Sequence, residues 1–360
     1  MPKTANIREV ARCAGVSPTT VSRVLNNSSI PGADTRERVL KAVEQLNYCP
    51  DPGFSAVFRR HHLGTPNPRT KTGVIGFLAS NAILDQARAG DGYYSQIFSG
   101  IQKAVQENGN LLMCESGDEN TLAMSEMVSR QRVDGLVVEG SFPATTRALL
   151  VKRLSVVFVD RTYPDLPASS VMMDIKRAVE EQLEYLWQLG HRRIVAFFPD
   201  VASLHIQIYQ QAFRGFFEAK GLPVPLASLS RPREIDPESH ARVMAAYARE
   251  IVTSTPRPTA LISFDIYAAS LLRKLQQAGL RIPQQISVMG IADTPVAALL
   301  TPPMASYAFS LHDMGRSAVE LLIQHLRDQN RAPRHLLISG RLVPRESAGR
   351  PEPPEGSAET

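Results

Sequence analysis

From Thr72 onward the chain alternates short, almost wholly apolar runs with longer segments of helical periodicity, an order that few folds accept. Gly73-Val74-Ile75-Gly76-Phe77-Leu78, Gly135-Leu136-Val137-Val138, Val156-Val157-Phe158-Val159, Ile194-Val195-Ala196-Phe197, Ala260-Leu261-Ile262-Ser263 and Ile286-Ser287-Val288-Met289 read as strands, with another over 110–114. Helical patterns occupy 96–108 and 122–130 and lie near 180–189, 207–219, 239–252 and 266–278. Strands separated by such spacers predict an α/β fold of parallel sheets flanked by helices. Continuous rather than alternating apolarity fits strands buried on both faces. Ligands in open α/β sheets lie beyond the carboxyl ends of strands. That rule makes Asp160, Arg161, Phe264, Asp265 and Asp293 candidate ligand contacts, together with Tyr93 and Tyr94 just ahead of a helix.

The first fifty residues have a different character. Ile7, Val10, Ala11 and Ala14 recur at helical spacing while Arg8, Glu9 and Arg12 fall on the other face. Gly15 supplies the left-handed backbone that ends a helix sharply. Ser17 is a good N-cap for a second helix, Pro18 suits its first position, and Val21, Val24 and Leu25 form its inward stripe. Ser17, Pro18, Thr19, Thr20, Ser22, Arg23 and the following Asn26 are then free to meet base edges and phosphates, as the second helix of a helix-turn-helix does in a major groove. A third helix follows, with Val39, Leu40, Val43 and Leu46 as its apolar stripe, ending before Pro50. An ordinary helical hairpin is the competing reading of the geometry alone.

Charge separates the two parts. Residues 1–71 carry eleven Lys/Arg against five Asp/Glu, a formal +6, whereas the whole chain is +5, which leaves the remainder at −1. A local cationic surplus of this kind attracts phosphate regardless of sequence.

The run Asn6-Ile7-Arg8-Glu9-Val10-Ala11 through Ser22-Arg23-Val24-Leu25-Asn26, with Leu46-Asn47-Tyr48-Cys49-Pro50, resembles the lactose-repressor/galactose-repressor (LacI/GalR) family. The likeness continues through Arg132-Val133-Asp134-Gly135-Leu136, Val159-Asp160-Arg161, Leu189-Gly190-His191-Arg192-Arg193-Ile194 and Leu300-Thr301-Pro302-Pro303. It implies a helix-turn-helix headpiece over 1–50, a hinge and linker over 51–71, and a two-lobed periplasmic-binding-protein-like core over 72–345. The first lobe is expected at about 72–165 and 300–327, and the second at about 166–299 and 328–345, with a disordered tail over 346–360. It also implies a homodimer bound to a near-palindromic double-stranded operator as a cytoplasmic repressor, tuned by a small molecule between the lobes. Family hinges wedge a leucine into the minor groove; here Val57 falls at that place, and Pro52 and Gly53 weaken the start of a hinge helix.

The expected effector site departs from the family's sugar-binding pattern. No arginine in the right helical phase precedes Gly215-Phe216, Phe264 replaces an asparagine, and Ile291-Ala292-Asp293 keeps one acid of a pair. Three readings follow: a ligand less polar or more aromatic than a sugar, such as a nucleoside or aromatic metabolite; a different charged ligand held by Tyr93, Asp160 and Arg161; or no effector. A structural ion pair competes with ligand contact at Asp160 and Arg161.

Other functional classes find little support. The sequence contains no G-x-S-x-G, G-x-x-x-x-G-K-[ST] or H-E-x-x-H pattern, so no enzyme is expected. Three widely spaced cysteines, Cys13, Cys49 and Cys114, suit neither a disulfide framework nor a metal site, and neither metal nor cofactor is expected. A solute-binding or sensory protein without operator control would carry an export signal and no cationic headpiece; neither signal nor membrane span is evident.

Overall fold

The computed structural model describes residues 6–25, 31–46, 48, 72–88, 92–117, 125–200, 204–225, 231–232, 237–328 and 330–352. The hinge and linker expected over 51–71, with Val57, lie outside them, as does Asn26. The chain divides into two compact units, one holding the N-terminal helices and reaching to Val74 with Arg132–Asp134, the other holding the rest.

Three helices make the first unit: α1 (Ile7–Ala14), α2 (Pro18–Leu25) and α3 (Ala33–Gln45). Asn6 caps α1 by accepting from the backbone of Arg8 and Glu9, while Glu9 reaches back to the Asn6 amide at 2.8 Å, a reciprocal capping box. Gly15 ends α1 at φ +65°. The Ser17 hydroxyl accepts from the Thr20 amide at 3.1 Å and fixes the first turn of α2. Ile7, Val10, Ala11, Ala14, Val21, Val24, Val39 and Ala42 form the core. Leu40, expected inside, is instead 51% exposed. Its neighbours Val39 and Ala42 take the inward face, because a core this small is filled by one stripe per helix.

The second unit holds two sheets. Its elements run β1 (Val74–Ser80), α4 (Asn81–Arg88), α5 (Tyr93–Glu107), β2 (Leu111–Gly117), α6 (Glu126–Ser129), β3 (Gly135–Glu139), α7 (Ala144–Arg153), β4 (Ser155–Val159), β5 (Ser169–Met173), α8 (Ile175–Gln188), β6 (Ile194–Phe197), β7 (Pro199–Asp200), α9 (Leu204–Ala219), β8 (Arg231–Pro232), α10 (Pro237–Thr253), β9 (Ala260–Ser263), α11 (Asp265–Gln277), β10 (Ser287–Ala292), α12 (Pro295–Leu299), β11 (Ala305–Phe309), α13 (Leu311–Arg327), β12 (His335–Ile338) and β13 (Gly340–Val343). The first sheet has the order β12-β5-β4-β3-β1-β2, and the second β13-β11-β10-β9-β6. Pairing is parallel from β12 through β5, β4 and β3 to β1. It is also parallel from β6 through β9 and β10 to β11, with β13 antiparallel at the edge. β1, β3, β5 and β10 are buried at every position, as continuous apolarity predicts for most of them.

The crossings between sheets fall elsewhere than the expected lobe boundaries. β5, assigned above to the second lobe, pairs in the first sheet. Its Ser169-Ser170 start hides a strand because both hydroxyls are satisfied internally, by His325 Nε2 at 2.7 Å and His335 Nδ1 at 2.8 Å. β11, assigned to the first lobe, lies in the second sheet against β10. The segment over 328–345, assigned above to the second lobe, divides at Ser339, with β12 in the first sheet and β13 in the second. The chain therefore passes between the sheets after Met173, after Phe309 and at Ser339.

α13 packs against α5 with almost no space between their backbones. A Cβ on Gly100 would lie 1.9 Å from the His312 carbonyl oxygen, and one on Gly315 2.1 Å from that of Ile97. One apolar cluster runs through both sheets, from Ile75 and Val157 to Ile194, Tyr209 and Tyr307. The expected disorder of the tail does not hold for residues 346–352. Ser347 is fully buried, the Gly349 carbonyl meets His191 Nε2 at 2.9 Å, and Glu352 pairs with Arg281 at 2.6 Å. These residues follow β13 along the second sheet, where their backbone partners outweigh their loop-like composition.

Candidate DNA-reading helix and ligand cleft

Two places in the molecule carry groups that a partner can use. On α2, Val21 and Val24 anchor the inner face, and the opposite face presents Thr19 and Arg23, both exposed, with Pro18, Thr20 and Ser22 half-buried beside them. Ser17 Oγ and Thr20 Oγ1 lie 2.9 Å apart, so these two hydroxyls are spent on the turn that starts the helix. Thr19 and Arg23 are one turn apart and point the same way.

The second place lies between the two sheets. Asp160 directly follows β4, at φ +56°, a left-handed conformation that aspartate tolerates better than most residues. Its carboxylate is enclosed by side chains of both lobes. Arg161 Nη1 is 3.6 Å from Oδ2 and also donates to the Asp160 carbonyl oxygen at 2.8 Å. His205, on α9, brings Nε2 to 3.2 Å from Oδ1. The same guanidinium nitrogen lies 2.9 Å from His205 Nδ1. A guanidinium only donates, so Nδ1 accepts and the ring hydrogen sits on Nε2, facing Asp160.

Burial penalises the Asp160 charge, but His205, Arg161 and Tyr93 outweigh it and hold the carboxyl below its ordinary pKa. Burial likewise opposes the Arg161 charge, and Asp160 with the neighbouring tyrosines restores it to above its ordinary value. Tyr93 starts α5 after Gly92, which meets Pro295 so closely that an added Cβ would fall 2.9 Å from its Cδ. Burial first, then the charges of Asp160 and Glu139, push the Tyr93 phenol well above its usual range. Tyr94 packs edge-on against Tyr93 at 4.9 Å.

An aromatic wall stands on the second lobe. Tyr209 stacks on Phe198 at 4.7 Å and meets Phe264 edge-on at 5.1 Å. Tyr93, Asp160, Arg161 and the Phe264 wall thus belong to one neighbourhood, with Tyr209 raised in pKa by burial and then by Asp160 and Asp265.

The other two acids are turned to internal work. Asp265, 2% exposed, accepts from Ser306 Oγ at 2.7 Å and from the Thr294 amide and hydroxyl at 2.5 and 2.9 Å, tying α11 to β11 and the start of α12. Burial nonetheless lifts its pKa to about 6. Asp293 pairs with Arg345 Nη1 at 2.6 Å, and the same nitrogen donates to the Met304 carbonyl.

Sequence reasoning missed His205, Tyr209 and Glu139. The first two sit four apart on α9 in an otherwise apolar face, and that polar interruption of a buried stripe was the available signal. Glu139, 1% exposed at the end of β3, is a charge in a run otherwise read as apolar. Among the described residues no group of acids, histidines and cysteines could hold a metal ion, and no helix is long and apolar enough to cross a membrane.

Comparison with known proteins divides along the same line. Residues 6–51 match the family described as bacterial regulatory proteins, lacI family, and residues 183–348 match the periplasmic binding protein-like domain. The HTH-type transcriptional repressor PurR of Aliivibrio fischeri (strain MJ11) is 30% identical over 354 residues, spanning 95% of this chain and 98% of the relative. The ribose operon repressor of Haemophilus influenzae is 28% identical over 352 residues, with the same coverage of 95% and 98%. Among solved structures, the Lac repressor dimer bound to operator and the anti-inducer ONPF superposes with a TM-score of 0.74 at 23% identity. The complex of the transcriptional regulator CelR with cellobiose gives 0.65 at 24%. Each covers 96% of this chain and 100% of the other, and at such identity each speaks to the fold alone.

Proposed function

Because the chain belongs to the lacI family of bacterial regulatory proteins, it is a DNA-binding transcriptional regulator, and we propose that it represses as a cytoplasmic homodimer on a near-palindromic operator. Twofold protein symmetry pairs with a twofold site, each copy of α2 entering one major groove. The observation that carries this reading is the exposed Thr19 and Arg23 edge of α2, held rigid by Val21 and Val24 beneath it. Arg23 makes the dominant base contact, bidentate to guanine, and Thr19 adds a second. Pro18 has no side-chain donor and contributes only packing, and the Ser17 and Thr20 hydroxyls serve the turn.

The cleft around Asp160, Arg161, Tyr93, Tyr94 and Phe264 takes a small-molecule effector. An effector shifts operator affinity only by as much as it distinguishes the two arrangements of the lobes, typically about 1–3 kcal/mol. The internal partners of Asp265 and Asp293 support a structural role for both.

Fluorescence anisotropy with DNA fragments from around the gene, at several salt concentrations, tests the DNA half of the reading. Selective binding to one fragment, weakening steeply with salt, is the expected result. Equal weak binding to every fragment would count against it.

A further inference from the structure

The two lobes meet across the cleft through side chains that the chain itself supplies. From the end of β4, in the first lobe, Asp160 Oδ1 lies 3.2 Å from Nε2 of His205, which α9 of the second lobe carries. Arg161 Nη1 lies 2.9 Å from His205 Nδ1. One strand end thus holds both ring nitrogens of one imidazole, and only a group that donates on one side and accepts on the other can fill that place. The Arg161 nitrogen is itself fixed, since it also donates to the Asp160 carbonyl oxygen at 2.8 Å. The Asp160 and His205 side chains are 8% and 9% exposed, so solvent ions screen this contact little. Removing one partner from such a buried group leaves the other poorly solvated, which makes the three residues hold or release together.

A second contact joins the lobes elsewhere. Gly92, ahead of α5 in the first lobe, lies so near Pro295, at the start of α12 in the second, that a Cβ there would fall 2.9 Å from the proline Cδ. That proline is braced from behind, because the Asp265 carboxylate takes both the amide and the hydroxyl of Thr294. We propose that Asp160, Arg161 and His205 form an interlobe latch, seated by Gly92 on Pro295, that holds the two lobes in one arrangement without any small molecule. The resting operator affinity of the chain is then set by its own side chains. This inference does not rest on the cleft being an effector site.

Hydrogen–deuterium exchange on the full chain, with no compound added, reads the latch at residues 160–163 and 204–209. Exchange in both segments quickens at least about fivefold in His205→Ala. It stays at the wild-type rate in His205→Gln, whose amide also donates and accepts. Gly92→Ala, which drives a methyl group against Pro295, quickens the same two segments although it belongs to neither. Both loosening variants also shift the operator dissociation constant in the same direction, by at least about fivefold, as fluorescence anisotropy would show. Unchanged exchange at 204–209 in His205→Ala, or opposite shifts of operator affinity in the two variants, would overturn the proposal. Quickened exchange with unchanged operator affinity would do so too, since the latch would then not set that affinity. If His205→Ala melts many degrees below wild type, exchange at 204–209 in Gly92→Ala decides instead. The exchange measurement needs no operator, so a wild-type chain that binds none of the DNA fragments fails the repressor reading while the latch stands or falls on exchange.

Discussion

The outer face of α2 and the cleft end of β4 are both polar surfaces set on a rigid apolar support, yet they spend their polarity in opposite ways. On α2 the Ser17 and Thr20 hydroxyls are used to start the helix, and Thr19 and Arg23 remain exposed for a partner. In the cleft, Arg161, Asp160 and His205 contact one another across the two lobes, and Asp265 and Asp293 hold neighbouring loops. A surface that reads DNA must meet its target without first breaking internal contacts. A cleft that senses a small molecule gains its response from contacts that a ligand can replace.

This contrast says where damage should appear. The largest effect is expected at Asp265, where Asp265→Ala strands the donors of Ser306 and Thr294 in the interior. Each lost charge-assisted contact is worth about 1.5–3 kcal/mol, and removing the buried carboxylate returns part of the sum, because burial penalises its charge, so a net loss of about 3 kcal/mol is expected in urea unfolding. A loss under about 1 kcal/mol would mean that this acid is not the brace between α11 and β11.

Next comes the pH dependence of the same group. Its folded pKa of about 6 lies above the ordinary value of 3.8, so the native state holds the proton more tightly than the unfolded chain. The resulting stability is fully present below pH 3.8 and is lost as pH rises through 6, at up to about 1.4 kcal/mol per pH unit. Asp265→Asn should flatten the stability profile between pH 4 and 6. An identical slope in that variant assigns the titration to another group.

On the headpiece the pattern reverses. Arg23→Ala should weaken operator binding by about 1–3 kcal/mol and relax the preference at one base pair, with the melting temperature nearly unchanged. Undiminished, equally selective binding by this variant would remove α2 from the interface. The smallest effect belongs to Ser17→Ala, which removes a helix cap and costs about 1 kcal/mol of headpiece stability. It should lower operator affinity without altering which bases are preferred, as titration against single-base operator variants would show.

Much of this was legible in the sequence, for identifiable reasons. α1 and α2 announce themselves through Gly15, Ser17 and an unbroken apolar stripe, since local chemistry alone decides those helices. β1, β3, β4, β6, β9 and β10 are visible because strands buried on both faces are continuously apolar. β5 was not, because its two serines find histidines far away in the chain, and pairing over 155 or more residues leaves no local trace. Leu40 shows the converse, an apolar residue at helical spacing that the small core had no room for. In the cleft, Asp160, Arg161 and Phe264 were found from their places at strand ends. His205 was not, because its role depends on α9 of one lobe meeting β4 of the other.

The threefold passage of the backbone between the sheets, after Met173, after Phe309 and at Ser339, has a practical corollary for anyone dissecting the protein. Neither half of the core is a contiguous stretch of sequence, so no single truncation yields an intact half, and a nick in any one strap leaves two covalent tethers in place. Isolating the first sheet with its helices would need one grafted linker, joining Met173 to Leu311, and a stop after Ile338.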